Sequence, residues 1–505
     1  MGLLGTIVKT AISLKHTFDQ RSKDVEEEQK KMLRNLLDKS KDTSFGKFYG
    51  FKQILESEDV INQFRTNIPI HSYKDMEFWW TQQQKFPDIT WPDKPRYFAK
   101  TSGTTGNKSK KIPITADFSE SMRKVGISLA SDLPNYDVPE EVFESNVLML
   151  SSSSDLDLSE YGHLEGEISG INIHNFPDWY DFFYSPGKEI AAIDDWDERL
   201  KKIVEKAPEW NIGAAAGIPS WILRMLQAII KQHKLEYIQD IWPNFSVYVS
   251  GGVAFDTYRK DFEKLSNKEL IVIDTYLASE GFFAYTARPE TMSMKLALNH
   301  GYYYEFIPFD QRGVNEMGEI LDNPEIYDIS KVNTDDEYVL VVSTNAGAWR
   351  YIIGDTIQFT SLDPHEIKIT GRTKFFLNVF GSQLSEQKLD DAVVSSGEKL
   401  DVSVNEYMVA AINEGENNHI HQWVLVTDDK IDNEKFGELL DEYLKSHNNN
   451  YKVARNKTLD KISVRTISKN DYENYLDTTN KKGGQVKTQK VMKAEKMKEF
   501  LSFFD

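Results

Sequence analysis

Amphipathic spacing of apolar residues predicts helices in several parts of the chain. In residues 25–39 the apolar positions recur every three or four residues on one side of a charged segment. Thr115 stands where a helix cap is expected, and the pattern after it continues to about residue 131. Residues 221–232 form another such segment, directly after the small-residue loop 213–220. The first half of the chain is therefore expected to contain several helices.

Short, continuous apolar runs between these segments predict buried strands. Residues 146–150, 246–250 and 270–274 are such runs. The last two are separated by Gly251-Gly252 and by a helical pattern over 256–265. The order strand, glycine turn, helix, strand indicates a β-α-β unit, so we expect a parallel sheet.

Shorter strand patterns dominate after about residue 300. They are joined by polar turns and favour an antiparallel sheet or a small barrel, with strands at 302–306, 338–343, 349–353 and 366–369. Beyond Gly371 a smaller α+β region is expected. Its predicted helices lie near 384–394, 434–445 and 491–503, and its predicted strands near 407–412 and 422–426.

These patterns predict an α/β protein of two domains. The large N-terminal domain, residues 1–372, is expected to contain mixed parallel sheets and a small β-barrel-like part. The smaller C-terminal domain, residues 373–505, is expected to be α+β and mobile. A chain of 505 residues exceeds what one hydrophobic core supports, which agrees with this division.

The composition excludes several classes of protein. Of the residues, 40% are hydrophobic and 28% are charged, and the formal net charge is -19. We expect no nucleic-acid partner, because so acidic a chain needs a basic patch and its longest is 108–111. The chain contains no cysteine, which excludes disulfides, thiolate metal sites and cysteine nucleophiles.

No membrane partner is expected either. No apolar run approaches the roughly 18 residues that a membrane-spanning helix needs. Residues 1–12 lack the apolar core and cleavage site of a signal peptide, and we expect them to form a helix docked on the body. The sequence therefore predicts a cytoplasmic protein, and it leaves the oligomeric state open.

The segment from Ala99 to Pro113 carries the strongest functional signal. Its small and hydroxyl-bearing residues let backbone amides and side chains surround phosphate oxygens. These residues are Thr101, Ser102, Gly103, Thr104, Thr105 and Gly106, followed by the ammonium of Lys108. The glycine spacing excludes a Walker A loop. A loop rich in Ser, Thr and Gly between two short extended runs, 96–100 and 111–114, instead resembles the phosphate loop of adenylate-forming enzymes. The alternative interpretation is a surface turn with a few lysines.

Two later segments offer groups that suit a nucleotide. In residues 274–283, Tyr276 can stack on a purine and Glu280 is a hard oxygen ligand suited to Mg²⁺. In residues 349–355, Asp355 follows a glycine at a strand end and can accept both hydroxyls of a ribose. The alternatives are a surface carboxylate and an ordinary glycine–aspartate turn.

Two basic residues complete the candidate chemistry. Arg372 has the fork geometry that suits an oxyanion, and its glycine–arginine pair is typical of a hinge. Lys487 lies in the glycine-containing stretch 481–490 and is a candidate charge for an acyl phosphate. The alternatives are a solvated arginine in a turn and a solvated basic loop.

The order of these motifs resembles the adenylate-forming superfamily and, within it, the auxin-responsive acyl-acid amido synthetases in their bacterial form. Thr101 to Gly106, with Lys108 and Pro113, is similar to the phosphate loop of that family. Further similar segments are 251–259, 276–284, 304–308 and 371–374 with Gly381. The resemblance runs from about residue 25 to about residue 495. The sequence departs from the family at Leu277, where asparagine is frequent, and at 485–490, where the family has Gln-x-Lys-x-Pro-Arg.

The resemblance implies an ATP- and Mg²⁺-dependent ligase. It would adenylate a small carboxylic acid and then transfer the acyl group to an amine, with an amino acid as the expected amine. The implied nucleotide-binding residues are Ser102, Gly103, Thr104, Thr105, Lys108, Tyr276, Ser279, Glu280, Asp355 and Arg372, with Glu280 also the metal ligand. Arg372 and Lys487 would be catalytic, and Gly217, Ile218 and Trp221 would line the acyl pocket. The alternatives are an acyl-CoA ligase and a non-catalytic nucleotide-binding relative.

Overall fold

The structure of the chain, a computed structural model, describes most of its residues. They are 24–101, 110–176, 182–253, 255–315, 318–373, 384, 386–415, 418–448, 451–452, 455, 459–479 and 489–504. The helix expected over residues 1–12 lies outside these ranges. Within them, no helix combines the length and the apolar character needed to cross a bilayer.

Several helices begin at a side chain that caps them. Asp24, Asp59, Asp195 and Asp432 each accept hydrogen bonds from amides of the first turn. In the described part of the chain the α-helices are α1 (Val25–Ser40), α2 (Ser44–Phe48), α3 (Phe51–Glu56), α4 (Val60–Asn67), α5 (Tyr73–Lys85), α6 (Ala116–Asp132), α7 (Ile168–His174), α8 (Lys188–Ala191), α9 (Trp196–Lys206), α10 (Pro219–His233), α11 (Arg259–Leu265), α12 (Glu386–Leu400), α13 (Asn433–His447), α14 (Lys469–Thr478) and α15 (Ala494–Ser502).

The strands form three sheets. They are β1 (Tyr97–Thr101), β2 (Lys110–Ile114), β3 (Asn146–Met149), β4 (Asp157–Leu158), β5 (Leu164–Gly166), β6 (Tyr184–Ser185), β7 (Ile212–Gly217), β8 (Val247–Gly251), β9 (Ile271–Ala278), β10 (Gly281–Tyr285), β11 (Met294–Leu296), β12 (Tyr302–Pro308), β13 (Glu337–Thr344), β14 (Ala348–Leu362), β15 (His365–Arg372), β16 (Glu406–Gly415), β17 (Asn418–Val426) and β18 (Leu459–Ile467).

The largest sheet has 11 strands in the order β12-β13-β14-β15-β11-β10-β9-β8-β7-β3-β6. From β9 to β6 neighbouring strands are parallel. From β9 to β12 they are antiparallel. The antiparallel strands, for which a small barrel was one expectation, therefore continue the parallel sheet. The physical reason is that β9 hydrogen-bonds to β8 on one edge and to β10 on the other.

A second sheet has the order β2-β1-β5-β4. Strands β1 and β2 pair antiparallel from Tyr97↔Ile114 to Thr101↔Lys110. They are the two stems that flank residues 102–109, which lie outside the described ranges. Strand β5 pairs in parallel with β1 and covers its other edge. The predicted phosphate loop thus joins a strand pair in which β1 is held on its other edge by β5.

The C-terminal part is built on the separate sheet β16-β17-β18. Along β16, Tyr407 and Val409 pack in the apolar cluster of α12 and α13, whereas Met408 and Ala410 pack in that of α14 and α15. Helices therefore cover both faces of this sheet. Strand β18 and helix α14 are missing from the sequence prediction, because polar residues occupy most positions of both elements.

The predicted fold class, α/β with a large N-terminal part and a smaller α+β C-terminal part, is confirmed. Thr115 caps α6 as expected, since its hydroxyl accepts from the Phe118 amide at 3.0 Å. The strand predicted over 270–274 is longer and continues to Ala278. Tyr276 therefore lies inside β9 and not after it. The domain boundary after Arg372, where β15 ends, stays a prediction.

We expect Thr115→Ala to destabilise the large N-terminal part by about 1–2 kcal/mol. The Thr115 hydroxyl both caps α6 and donates to the Asn345 carbonyl at 2.6 Å, so the substitution removes two hydrogen bonds. Urea unfolding measures the loss. The control is Thr66→Ala, an exposed threonine bonded to the Asn62 carbonyl, with an expected change below about 0.5 kcal/mol. Equal losses in both variants would contradict the role of the cap.

Candidate functional site

A cavity of about 2920 Å³ opens at the carboxyl ends of the parallel strands. Gly217 at the end of β7, Gly251 at the end of β8 and Thr275 in β9 line it from the sheet. Asp355 of β14 and Lys490 of the C-terminal part also line it. This position is where an open α/β sheet is expected to bind its ligand.

Three side chains, Tyr276, Asp355 and Arg372, form a hydrogen-bonded group in the cavity wall. The Tyr276 hydroxyl donates to Asp355 Oδ2 at 2.7 Å, and Arg372 Nε lies 3.0 Å from Asp355 Oδ1. Tyr276 and Asp355 are buried, whereas 41% of the Arg372 side chain is exposed. The Asp355 charge raises the pKa of Arg372. A carboxylate has about four acceptor positions, so Asp355 can still receive hydrogen bonds from a ligand.

Two glycines shape the backbone beside this group. Gly354 precedes Asp355 with φ 96°, and its carbonyl accepts from the Thr373 amide at 2.9 Å. Gly371 precedes Arg372 with φ 150°, and a Cβ there would lie 2.9 Å from the Glu386 amide nitrogen. Any side chain at position 371 would therefore push the start of α12 away from β15.

Glu280 lies in the turn between β9 and β10 and is 7% exposed. Burial raises the pKa of the Glu280 carboxyl, while the charge of Lys110 opposes that rise. Burial, and then the Glu280 charge, also raises the pKa of Tyr351 on β14. A buried carboxylate suits a hard cation, because a bound cation stabilises the ionised form that burial disfavours.

The described residues contain no cluster of three or more side chains able to hold a metal ion. A cation at Glu280 would therefore need other ligands, from bound oxygens or water. Mg²⁺ fits this requirement, since it is usually held by one or two carboxylates plus phosphates and waters.

Glu165 on β5 holds both stems of the predicted phosphate loop. Lys100 of β1 and Lys111 of β2 face each other across the strand pair. Glu165 lies 2.6 Å from Lys111 Nζ, 3.5 Å from Lys100 Nζ and 2.9 Å from His163 Nε2. Burial raises the pKa of Glu165, but hydrogen bonds with Lys111 and His163 outweigh burial and lower it. The carboxylate thus offsets the repulsion between two facing lysines.

Lys490 reaches the cavity from the C-terminal part and is 7% exposed. Its Nζ lies 2.7 and 2.8 Å from the two carboxylate oxygens of Asp390, which also accepts from the Tyr407 hydroxyl at 2.6 Å. Burial lowers the pKa of Lys490, but the charges of Asp390 and Glu386 outweigh it and raise the pKa. Lys490, the last residue of the stretch 481–490, is thus fixed to α12.

The structure brings part of the predicted site together. The residues that line the same cavity are Tyr276, Ser279, Glu280, Asp355 and Arg372. The predicted site residues outside the described ranges are Ser102, Gly103, Thr104, Thr105, Lys108 and Lys487. Their flanking residues Thr101, Lys110, Gln489 and Lys490 line the cavity as well. The role of each of these residues stays a prediction.

The expected acyl-pocket residues divide into two groups. Gly217 and Ile218 line the cavity. Trp221 does not: it points into the core between α9 and α10, where its ring lies 4.3 Å from that of Trp196 in an edge arrangement. The centroid of the Tyr276 ring lies 5.2 Å from that of Phe283, so part of the Tyr276 ring already packs against the core. The predicted stacking of Tyr276 on a purine stays untested.

Sequence reasoning missed Glu165 and Lys490. Glu165 is 54 positions from Lys111 in the sequence, and only the packing of β5 against β1 reveals their contact. Lys490 replaces the arginine of the family pattern, and this was the signal that could have drawn attention to it. The sequence offers no sign of its partner Asp390.

Comparison with protein families gives three matches in chain order. A GH3 family N-terminal domain matches residues 14–204, a GH3 family central domain residues 295–372, and a GH3 family C-terminal domain residues 387–496. Together these matches cover most of the chain.

Among curated proteins, the chain is similar to a probable indole-3-acetic acid-amido synthetase, GH3.9 of Oryza sativa subsp. japonica. The two are 26% identical over 278 residues, 50% of this chain and 60% of that protein. It is also similar to the indole-3-acetic acid-amido synthetase GH3.4 of Arabidopsis thaliana, 23% identical over 345 residues, 64% of this chain and 57% of that protein. Each match spans less than two thirds of the relative. Both relatives are plant proteins, so the bacterial form stays a prediction.

Two solved structures share the fold. The AtGH3.15 acyl acid amido synthetase in complex with 2,4-DB superposes with a TM-score of 0.77 at 16% identity, covering 99% of this chain and 97% of that one. A 2-hydroxyisobutyryl-CoA ligase in the postadenylation state, in complex with R3-HIB-AMP, gives a TM-score of 0.58 at 11% identity, covering 94% and 91%.

We expect Glu165→Gln to lower the free energy of unfolding by about 2 kcal/mol, because it leaves two facing lysines without their buried counter-charge. The folded-state pKa of Glu165 lies below its ordinary value, so this stabilisation is present above the ordinary pKa and disappears as the pH falls through the folded value. Urea unfolding at pH 7 and at pH 3 measures both effects.

The control is Asp157→Asn. Asp157 also pairs with Lys100, at 2.6 Å, but 77% of its side chain is exposed. An exposed pair contributes little, and the expected loss is within about 0.5 kcal/mol. Equal losses in the two variants would show that Glu165 does not anchor the stems.

Proposed function

The chain belongs to the GH3 family, and on this premise we propose that it is an ATP-dependent acyl-acid amido synthetase. In the first step a carboxylate oxygen attacks the α-phosphorus of ATP, and the bond to pyrophosphate breaks. In the second step an amine nitrogen attacks the acyl carbon, loses a proton, and AMP leaves. We propose an amino acid as the amine; the names of the plant relatives, which are amido synthetases, agree with an amide product.

One observation carries this proposal: Asp355, Arg372, Tyr276 and Glu280 meet at one wall of a cavity at the ends of parallel strands. Asp355 would accept hydrogen bonds from the ribose hydroxyls while it remains paired with Arg372 and Tyr276. Arg372, half-exposed beside it, would contact the ribose or a phosphate. Ser279 lines the cavity next to Glu280 and completes this side.

The phosphates would lie against the loop between β1 and β2. Ser102, Gly103, Thr104, Thr105 and Lys108 are the proposed contacts. Support comes from the stems, since Thr101 and Lys110 both line the cavity that holds Asp355. Both stems also carry lysines whose charge is held in place by Glu165. Two anions must meet in the first step, so charge neutralisation and positioning are the main requirements.

Glu280 is the proposed protein ligand of Mg²⁺. Its burial and raised pKa fit a position that gains a positive charge when the ligand binds. When bound, the ion would neutralise phosphate charge and orient the phosphate oxygens. The protein's own contribution is to hold the carboxylate at the tip of a hairpin whose two strands belong to the large sheet.

The C-terminal part would change its position between the two steps. The hinge we propose is Thr373 and Lys374, directly after β15. Lys487 would approach the acyl phosphate in the first step, supported by the fixed position of Lys490 beside Asp390. Gly217 and Ile218 would form the wall nearest the acyl carbon. We also propose a cytoplasmic location, which suits a cysteine-free chain.

The acceptor separates this proposal from an acyl-CoA ligase, whose fold is shared. Purified protein would receive ATP, Mg²⁺ and a panel of carboxylic acids, and pyrophosphate release would be followed. Amino acids or CoA would then be added, and the products weighed by mass spectrometry. An N-acyl amino acid supports the proposal, whereas an acyl-CoA overturns it. Absence of pyrophosphate release with every acid would indicate a non-catalytic nucleotide-binding relative.

We expect Asp355→Asn to weaken ATP binding by about tenfold or more. The substitution replaces a charged acceptor with a neutral one, and it also removes the ion pair with Arg372. Titration calorimetry with ATP and Mg²⁺ measures the dissociation constant. The matched control is Asp335→Asn, an exposed aspartate in the turn before β13, which should leave the constant unchanged. Unchanged affinity in Asp355→Asn would remove the ribose assignment.

We expect Lys487→Ala to slow adenylate formation by about 10²–10³ while ATP binding is largely kept, since the lysine acts on charge that develops in the first step. ATP–pyrophosphate exchange measures this rate. Lys498→Ala, an exposed lysine on α15, serves as the control and should exchange normally. Normal exchange in Lys487→Ala would assign the role to another residue.

A further inference from the structure

The cavity continues well beyond the nucleotide wall, along one face of the parallel half of the large sheet. Its floor there consists of apolar side chains on neighbouring strands. Val147 of β3 pairs with Ala214 of β7, and Met149 pairs with Ala216, which in turn pairs with Val249 of β8. All five point to the same side of the sheet because they stand at alternate positions. The small side chains of the two alanines leave space above this part of the sheet.

Part of the roof is apolar as well. Helix α6 places Gly126, Leu129 and Leu133, the residue just after its end, along one side at spacings of three and four, and all three line the cavity. Val142 and Phe143 close the far end. The leucines, Val142 and Phe143 are only half-buried although they belong to an apolar cluster, so the cavity leaves part of their hydrocarbon surface uncovered. Covering this surface with an apolar ligand removes it from water and is therefore favourable.

We propose that this corridor, between Ala214 and Ala216 below and Gly126, Leu129, Leu133 and Val142 above, holds the apolar tail of the acid substrate. The inference rests on the proposed function, because the corridor is continuous with the wall that carries Asp355. The substrate class is therefore a carboxylic acid with a hydrocarbon chain of medium length.

The length of the floor sets the length of the tail. From Gly217, beside the proposed acyl carbon, to Ala214 the strand advances about 10 Å at roughly 3.3 Å per residue. Staggered carbon–carbon bonds of about 1.5 Å advance a chain by roughly 1.3 Å per carbon. The corridor thus accommodates a tail of about eight carbons. Each buried methylene should raise kcat/KM by about fourfold until the corridor is filled.

Gly126 provides the sharpest test. A Cβ built at this position has no heavy atom within 4 Å, apart from its chain neighbours and its own helix. A larger side chain there would occupy the corridor without displacing the backbone, and leucine is a better helix former than glycine. Gly126→Leu should therefore keep the melting temperature while it shortens the space for the tail.

The experiment measures pyrophosphate release with straight-chain acids from butanoate to decanoate, and octanoate binding by calorimetry without ATP. In the wild type we expect kcat/KM to rise about 100-fold or more over this series. In Gly126→Leu the rise over the series should be lost. Lys124→Leu, an exposed position on the same helix outside the cavity, should keep the wild-type profile. Ala216→Leu obstructs the corridor from the floor and replaces Gly126→Leu if that variant does not fold.

The outcomes separate the two proposals. A wild-type profile that is flat or falls with chain length, while short acids still release pyrophosphate, overturns the corridor and leaves the proposed function standing. Octanoate binding that Gly126→Leu abolishes, without pyrophosphate release from any acid, supports the corridor and overturns the proposed function. A rising profile that both Gly126→Leu and Ala216→Leu leave unchanged also overturns the corridor.

Discussion

Strand β9 pairs in parallel with β8 and antiparallel with β10, and the site depends on this single change of direction. The hairpin that follows β9 turns at Glu280, beside the ends of the parallel strands. The antiparallel strands then return along the same sheet, so that β14 and β15 bring Asp355 and Arg372 to the same wall. One continuous sheet thereby aligns groups that are far apart in sequence to within hydrogen-bonding distance.

The chain is strongly acidic, yet carboxylates hold several cations in place in its cavity wall or beside it. Arg372 forms an ion pair with Asp355, Lys111 with Glu165, and Lys490 with Asp390. Each of these three carboxylates is buried, which strengthens the pairing and fixes the basic side chain relative to a strand or helix. Such fixed charges suit the proposed reaction, in which a carboxylate must approach a polyphosphate.

The sequence patterns located about half of the described helices and strands, because local periodicity reports which face of an element is buried. They failed where tertiary pairing decides. Strand β9 extends past its apolar run, since β10 supplies partners for Tyr276 and Leu277. The antiparallel strands join the main sheet because β11 pairs with both β10 and β15. Strand β18 is too polar to be recognised without its neighbour β17.

By itself, the sequence determined the fold class, the family and the motifs that contain Tyr276, Glu280, Asp355 and Arg372. Short segments and their order along the chain are enough to encode these features. Only the tertiary structure decided that Trp221 belongs to the core, that Glu165 holds the stems of a loop, and that an apolar corridor follows the sheet. These properties depend on contacts between distant segments, and neither composition nor spacing records which faces meet.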